Sequence, residues 1–115
     1  MTPEKIFSPQ NPKIKNLKRL EKASERKEQQ LILIEGIRET VLAYRAGYEI
    51  TELFICNEIY KEQKEYSLND LCITNNKIQI TKQAYDSLAY REGTEGVIAV
   101  SKPKNVSFKN IRLKN

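Results

Sequence analysis

Three short runs of mostly branched apolar residues constrain the fold of this 115-residue chain more than any other feature. They occupy residues 31–34, 53–56 and 96–100, and segments with other patterns separate them. Each run is too short for a helix and lacks polar alternation, as expected of strands buried on both faces of a sheet. Strands that alternate with helices predict an α/β fold with helices on both faces of a small mixed, largely parallel sheet.

The segments before and between these runs carry signals for helix starts and ends. Asn11 and Pro12 suit the N-cap and first position of a helix that extends to residue 29 or 30. Ile37, Val41 and Tyr44 form the apolar stripe of a second helix, which Gly47 ends. The pattern also predicts a surface helix within 57–67, strands at 71–74 and 77–81, and a short helix from a Thr81 cap through Leu88.

The first predicted helix is amphipathic and has a basic outer side. At about 100° per residue, its apolar side contains Ile14, Leu17, Leu20 and Ala23. The opposite arc contains Lys15, Lys18, Arg19, Lys22 and Arg26. This stripe is either a solvated face, paired in part with Glu21, Glu25 and Glu28, or a nucleic-acid surface, and the pattern leaves both interpretations open.

The formal net charge of +5 is concentrated at the two ends of the chain. Residues 1–30 carry a net charge of +4, residues 31–101 carry −4, and residues 102–115 carry +5. This distribution indicates localised sites for polyanions. Because residues 102–115 also lack a periodic apolar pattern, we predict that they form a linker or the start of a further domain.

Residue types that many enzymes require are missing from the chain. It has no histidine, which excludes Ser/His and Cys/His nucleophiles and histidine-ligated metals. It also lacks a P-loop and the G-x-G-x-x-G, C-x-x-C and G-x-S-x-G motifs. Cys56 and Cys72 lie in apolar stretches and are expected to be buried thiols, not a disulfide framework. We therefore predict no catalytic, cofactor or metal site here.

The chain also lacks the apolar segments of membrane and secreted proteins. No run approaches the roughly 20 apolar residues of a membrane span. The first residues lack the apolar core of a secretion signal. A cytoplasmic location without a membrane partner is therefore expected.

Two further features have both a structural and a functional interpretation. Residues 91–96 contain two glycines before a buried strand, which suits a helix-to-strand loop or a loop that aims Arg91 at phosphate. Tyr44 and Tyr48 have the size to stack on bases, but a tyrosine at helical spacing is more often part of a core. The pattern alone does not decide either case.

An ordered set of short motifs extends across nearly the whole chain. Its members are Ser8, Asn11-Pro12-Lys13-Ile14-Lys15, Leu17, Leu20, Arg26, Ile34-Glu35-Gly36-Ile37-Arg38 and Glu95-Gly96-Val97-Ile98-Ala99-Val100. In this order and spacing, the set resembles the N-terminal substrate-binding domain of the SpoU (TrmH) family of RNA ribose 2′-O-methyltransferases. The chain differs from that family at Thr94 and Glu95, where members often have proline and glutamine.

The resemblance implies a compact three-layer α/β/α sandwich, like the kink-turn-binding ribosomal proteins, that positions structured RNA. Ribosomal RNA, with 23S rRNA as first choice, is the substrate that such a domain implies. The phosphate contacts expected under this resemblance are Lys13, Lys15, Lys18, Arg19, Lys22, Arg26, Arg38 and Arg91.

In enzymes of this family, a C-terminal knotted methyltransferase domain binds S-adenosylmethionine and forms the homodimer. The motifs of that domain do not occur here. We therefore expect residues 1–101 to be an RNA substrate-binding domain and residues 102–115 to be the basic interdomain linker of a longer enzyme. Two other functions stay open: a stand-alone RNA-binding module of the kink-turn type, and a protein-interaction domain for an acidic partner.

Overall fold

A computed structural model describes residues 4–61, 64–68, 71, 77–88 and 95–104. Within these residues the elements are, in chain order, β1 (Glu4–Ile6), α1 (Pro12–Arg19), α2 (Ala23–Gln29), β2 (Ile32–Glu35), α3 (Ile37–Arg45), β3 (Ile50–Ile55), β4 (Lys77–Ile80), α4 (Lys82–Asp86) and β5 (Val97–Ser101). The five strands form one sheet with the order β1-β4-β3-β5-β2.

The sheet is mixed, as predicted. β4 pairs in parallel with β1 and β3, whereas β5 is antiparallel to both β3 and β2. Two of the four strand pairings are therefore parallel, fewer than expected for a largely parallel sheet. All five residues of β5 are buried, which fits its place between two other strands.

Residues 32–34 of the first apolar run form most of β2, which packs on both faces as expected but is only partly buried. β2 lies at an edge of the sheet, and each of its residues is only partly buried. Leu33 packs against the core on one face and Ile34 against the core on the other. The run is apolar because both faces pack, and it is partly exposed because it has a neighbouring strand on one side only.

Alternation along β5 places an apolar core on each face of the sheet. Ile98 and Val100 belong to one cluster, together with side chains of α1 and α4. Val97 and Ala99 belong to the second, together with side chains of α3. Because helices cover both faces in this way, the three-layer α/β/α architecture is confirmed.

The predicted first helix is interrupted, and α1 and α2 fold back on each other. The side-chain amides of Asn16 and Gln29 exchange two hydrogen bonds of 3.0 and 2.8 Å. In one continuous helix these residues would lie about 20 Å apart along the axis. Arg26 donates from Nη1 to the carbonyls of Leu20 and Glu21 at 2.9 and 2.7 Å, at the turn where α1 ends.

The apolar side of the predicted helix is confirmed only as far as the turn. Ile14, Leu17 and Leu20 are buried in the core, but Ala23 is exposed, and no residue of α2 is buried. Leu20, the C-cap of α1, is the last residue of this apolar side that is buried. Without buried residues of its own, α2 is tied to α1 by the hydrogen bonds between Asn16 and Gln29.

The helix caps follow the sequence prediction. Asn11 accepts a hydrogen bond from the Lys13 amide at 2.9 Å, and Pro12 occupies the first turn of α1. Thr81 caps α4 by accepting from the Ala84 amide. Gly47 follows α3 with a φ of +96°.

Of the remaining sequence predictions, one is wrong, one is confirmed and the others concern residues outside the described part of the chain. The surface helix predicted within 57–67 is wrong for the residues described there, which form turns and bends. Cys56 is buried, as expected. Residues 72–74 of a predicted strand, together with Cys72 and residues 91–94, lie outside the described residues. Among the helices of the described parts, none is long and apolar enough to cross a membrane.

Candidate nucleic-acid interface

The outer side of α1 carries a group of basic side chains, positioned by the burial of its inner side. Ile14 and Leu17 are 0% and 2% exposed, so they anchor one side of the helix in the core. Lys15 and Arg19 lie four residues apart on the opposite side and are exposed. Lys18 lies at the flank and is half-buried. Helical periodicity and the core together aim these charges outward.

Lys22 follows in the turn after α1 and is also exposed. Lys15, Lys18, Arg19 and Lys22 form what we call the cationic face. Among the residues that the structure describes, no carboxylate lies within 4 Å of the charged groups of these four side chains. Glu25, which was expected to pair with this stripe, instead accepts from Gln29 Nε2 at 3.1 Å.

Two residues of the predicted basic set, one on α1 and one on α2, lie outside the cationic face. Lys13 is half-buried, and its Nζ lies 4.0 Å from a carboxylate oxygen of Glu52 on β3. Arg26 is half-buried and uses Nη1 for the two carbonyls at the end of α1. Its hydrogen bonds give Arg26 a structural role, and its contact with phosphate stays a prediction.

Arg38 lies in a different layer, on the first turn of α3. Its side chain is 60% exposed, and its Nη1 lies 3.9 Å from Glu39. A side-chain hydrogen bond to Tyr66 and the charge of Glu39 raise the pKa of Arg38. The predicted basic residues therefore divide between two faces of the sheet. Arg91 lies outside the described part of the chain.

Arg45 and Tyr66 complete a cluster around Arg38 that the sequence reasoning missed. The Arg45 guanidinium carbon lies 5.9 Å from the centre of the Tyr66 ring, within the range of a cation–π contact. The seven-residue spacing of Arg38 and Arg45 was a signal that both lie on one side of α3. No such signal linked Tyr66 to them, because it comes from a distant segment. We call Arg38, Arg45 and Tyr66 the α3 cluster.

The tyrosines considered for base stacking are only partly exposed. Tyr44 is partly buried and packs against the second core cluster, as expected for a tyrosine at helical spacing. Tyr48 is half-buried at the end of the α3 region. Neither residue offers a fully open ring.

The start of β5 contains a buried polar junction. The Gly96 amide donates to the hydroxyl of Tyr85 at 3.1 Å, and the Gly96 carbonyl accepts from the Cys56 amide at 2.8 Å. Burial raises the pKa of the Cys56 thiol and of the Tyr85 hydroxyl. In the described ranges, no group of three or more potential ligands is placed to hold a metal ion.

The chain matches a family of substrate binding domains and resembles part of several solved RNA methyltransferases. Residues 11–99 match the family model of the MRM3-like substrate binding domain. The chain is 26% identical to a solved RNA 2′-O ribose methyltransferase, with a TM-score of 0.72 over 90% of this chain and 40% of that chain. A search of curated protein sequences found no match to the chain.

Two further solved structures share the fold at lower identity. An rRNA methyltransferase from Sinorhizobium meliloti is 16% identical, with a TM-score of 0.68 over 88% of this chain and 37% of that one. The SpoU methyltransferase AviRb from Streptomyces viridochromogenes, in complex with AdoMet, is 18% identical, with a TM-score of 0.65 over 88% and 36%. The chain therefore spans 40% or less of the length of these structures. The resemblance drawn from the sequence is confirmed.

Proposed function

Because this chain belongs to the family of MRM3-like substrate binding domains, we propose that it binds the RNA substrate of a SpoU-type 2′-O-ribose methyltransferase. The substrate class that we propose is structured RNA, with ribosomal RNA, and 23S rRNA in particular, as the first choice. One of the similar solved structures is described as an rRNA methyltransferase, which supports this choice. A cytoplasmic location is part of the same proposal.

The observation that carries the proposal is the cationic face. Its four basic side chains have no carboxylate within 4 Å in the part of the chain that is described, so their charge is available to a polyanion. Folded RNA is recognised chiefly through its shape, phosphates and 2′-hydroxyls, since side chains do not enter the deep major groove. A short helix with outward ammonium and guanidinium groups suits contacts with phosphates.

The role of the cationic face is to position the RNA. Three buried side chains hold α1 against the sheet, and the paired amides of Asn16 and Gln29 tie it to α2. A rigid platform keeps the bound RNA in one orientation, so that one ribose is presented to the methyl donor. Lys13, Arg38 and Arg91 are proposed as further contacts, with Arg38 acting from the α3 cluster.

The methyl transfer itself is assigned to a separate domain of the same enzyme. S-adenosylmethionine, which supplies the methyl group when bound, contains a sulfonium cation. The groove of about 440 Å³ between the end of α2 and the residues after β5 does not fit it, because Lys102 and Lys104 line that groove and like charges repel. We propose that a C-terminal methyltransferase domain binds the cofactor and forms the homodimer.

The domain boundaries follow from the same proposal. Residues 1–101 form the RNA substrate-binding domain, and residues 102–115 form a basic link to the methyltransferase domain. The similar solved structures are more than twice as long as the part that this chain covers, which supports a longer enzyme.

The proposal is tested by reversing charges on the cationic face. We expect K15E/R19E to lose most of its affinity for structured ribosomal RNA fragments, measured by fluorescence anisotropy across a salt series. Each lost phosphate contact lowers the slope of log K against log salt by about 0.7–0.9 in magnitude, so two lost contacts lower it by roughly 1.4–1.8. The thermal unfolding midpoint should change little, because both side chains are exposed.

A matched control separates this surface from general positive charge. K61E/K64E makes the same change in net charge at two exposed lysines that lie in the sequence between Tyr60 and Tyr66, which pack on the α3 side of the sheet. We expect this control to retain the salt slope of the unmodified chain. Equal losses in the two variants, or a larger loss in the control, would contradict the assignment to α1. Scrambled RNAs of equal length then distinguish selective binding from attraction of any polyanion.

A further inference from the structure

The ring of Phe7 lies on the surface directly after β1. Its residue is 62% exposed, and the other large apolar residue exposed in the described ranges, Leu42, is 39% exposed. The ring therefore offers apolar surface that a partner can bury, and such burial stabilises by about 25 cal/mol per Å². Neither the core nor the cationic face accounts for this position.

The backbone beneath Phe7 is held in place. The amide of Thr81 donates to the carbonyl of Ile6 at 3.0 Å, and the hydroxyl of Thr81 donates to the carbonyl of Phe7 at 3.0 Å. The same threonine caps α4. The main chain at Phe7 is therefore tied to both β4 and α4. A partner that binds the ring has little backbone entropy to restrict.

Cationic and amide side chains lie on the same side of the sheet edge as Phe7. Ile6 is buried at 2% exposure, so the alternation of side chains places Lys5 and Phe7 on the opposite face of β1. The Lys5 Nζ lies 5.2 Å from the centre of the Phe7 ring. The register pairs Lys5 with Gln79, and alternation along β4 places Lys77 on this face as well.

A flat apolar ring with an ammonium group over one face, close to an amide side chain, matches the chemistry of a nucleotide. Unpaired bases stack on aromatic side chains, ammonium groups attract phosphates, and an amide offers a donor and an acceptor to a base edge. We propose that Phe7 is a stacking platform for an unpaired base of the bound RNA, with Lys5 contacting the adjoining phosphate. This inference rests on the proposed RNA-binding function, and it adds that the substrate presents an unpaired nucleotide to the β1 edge.

The test compares two RNA hairpins that differ only by one unpaired adenosine. We expect the unmodified chain to prefer the hairpin with the bulged adenosine. Phe7→Ala should weaken binding of that hairpin by about 5- to 150-fold, the range for one stacked base, and leave the fully paired hairpin unaffected. Phe7→Tyr is the matched control, because it keeps an aromatic ring at the same position, and it should change neither affinity.

A tryptophan at the same position gives a direct readout of stacking. The chain contains no tryptophan, so Phe7→Trp introduces a single fluorophore. We expect the bulged hairpin to quench its emission and the affinity to be retained, whereas the fully paired hairpin should leave the emission unquenched. Phe7→Ala binding that equals that of the unmodified chain, or unquenched Phe7→Trp emission in the bound state, overturns the stacking platform.

These outcomes separate the stacking platform from the cationic face. If Phe7→Ala retains full affinity while K15E/R19E loses it, the stacking platform is wrong and the RNA-binding proposal stands. If Phe7→Ala weakens both hairpins equally, Phe7 is a general contact and base stacking is overturned. If the unmodified chain binds neither these hairpins nor the ribosomal fragments, both proposals fall, and a protein partner for the exposed ring becomes the better explanation.

Discussion

Gly96→Ala is expected to destabilise this domain far more than the same substitution at Gly47. Both glycines have a positive φ, of +83° and +96°. An alanine in this left-handed region costs about 1–2 kcal/mol of stability, because its Cβ crowds the following carbonyl. That conformational cost is common to the two positions. What differs is the space around the added methyl group.

The two sites offer very different room for a Cβ atom. At Gly47 the nearest atom would be the Lys104 Nζ at 3.8 Å, which is an ordinary contact with a flexible side chain. At Gly96 the Cβ would lie 2.7 Å from the Tyr60 amide nitrogen and 3.0 Å from the Cys56 carbonyl oxygen. Both are backbone atoms, and the Tyr60 amide donates a hydrogen bond of 2.8 Å to the Cys56 carbonyl, so neither moves freely.

The expected magnitudes follow from these contacts. Gly47→Ala should lower the free energy of unfolding by about 1–2 kcal/mol, the conformational cost alone. Gly96→Ala adds an overpacking cost of about 1–3 kcal/mol, for a total of roughly 2–5 kcal/mol. For a domain of this size, each 1 kcal/mol lowers the thermal midpoint by roughly 4 °C.

Urea unfolding of both variants, followed by circular dichroism, measures the difference directly. The close backbone contacts at Gly96 should make Gly96→Ala the less stable of the two variants by at least about 1 kcal/mol. Equal losses of stability at the two positions would refute it and leave only the backbone conformation as the cause. Gly47→Ala also controls for the general effect of replacing a glycine.

Two further predictions concern Arg26 and Tyr85, whose side chains form hydrogen bonds with the backbone. Arg26→Ala should lower the free energy of unfolding by about 1.5 kcal/mol, because the carbonyls that end α1 lose a charged donor. Thermal unfolding should show this loss of stability, and fluorescence anisotropy should show little change in RNA affinity. A large loss of RNA affinity with little loss of stability would make Arg26 a phosphate contact. Tyr85→Phe should cost about 1–3 kcal/mol near neutral pH, because the buried Gly96 amide loses its acceptor. Burial raises the pKa of Tyr85 above its ordinary value of 10.0, so the stability from the neutral phenol is present below pH 10 and is lost as the pH rises further. Urea unfolding at alkaline pH should therefore show a steeper loss for the unmodified chain than for Tyr85→Phe.

Much of the fold could be predicted from the sequence because it depends on interactions between residues that are close in the chain. The apolar runs of β3 and β5 report burial on both faces, because buried strands need branched apolar side chains at successive positions. The caps at Asn11 and Thr81 are also local, since each side chain satisfies an amide two or three residues ahead. The exposed positions of Lys15 and Arg19 follow from helical periodicity and the burial of Ile14 and Leu17.

Other elements depended on partners that are distant in the chain. β1 has only three residues and no pattern of its own, and it forms because the open edge of β4 supplies its hydrogen bonds. The surface helix expected within 57–67 gave way, in its described part, to a segment whose Tyr60 and Tyr66 pack against the α3 side of the core. Tertiary packing outweighs helix propensity of less than about 1 kcal/mol per residue.

The sequence by itself determined the α/β class, the strands of the sheet centre, the helix caps and the outward direction of the basic residues on α1. Only the tertiary structure showed that β2 lies at an edge and that the chain turns after Leu20. It also showed that Arg26 donates to two carbonyls and that Tyr66 contacts Arg38 and Arg45. The physical reason is the range of the interactions. Periodicity and capping act within a few residues, whereas strand order, turns and side-chain clusters depend on which distant surfaces bury each other.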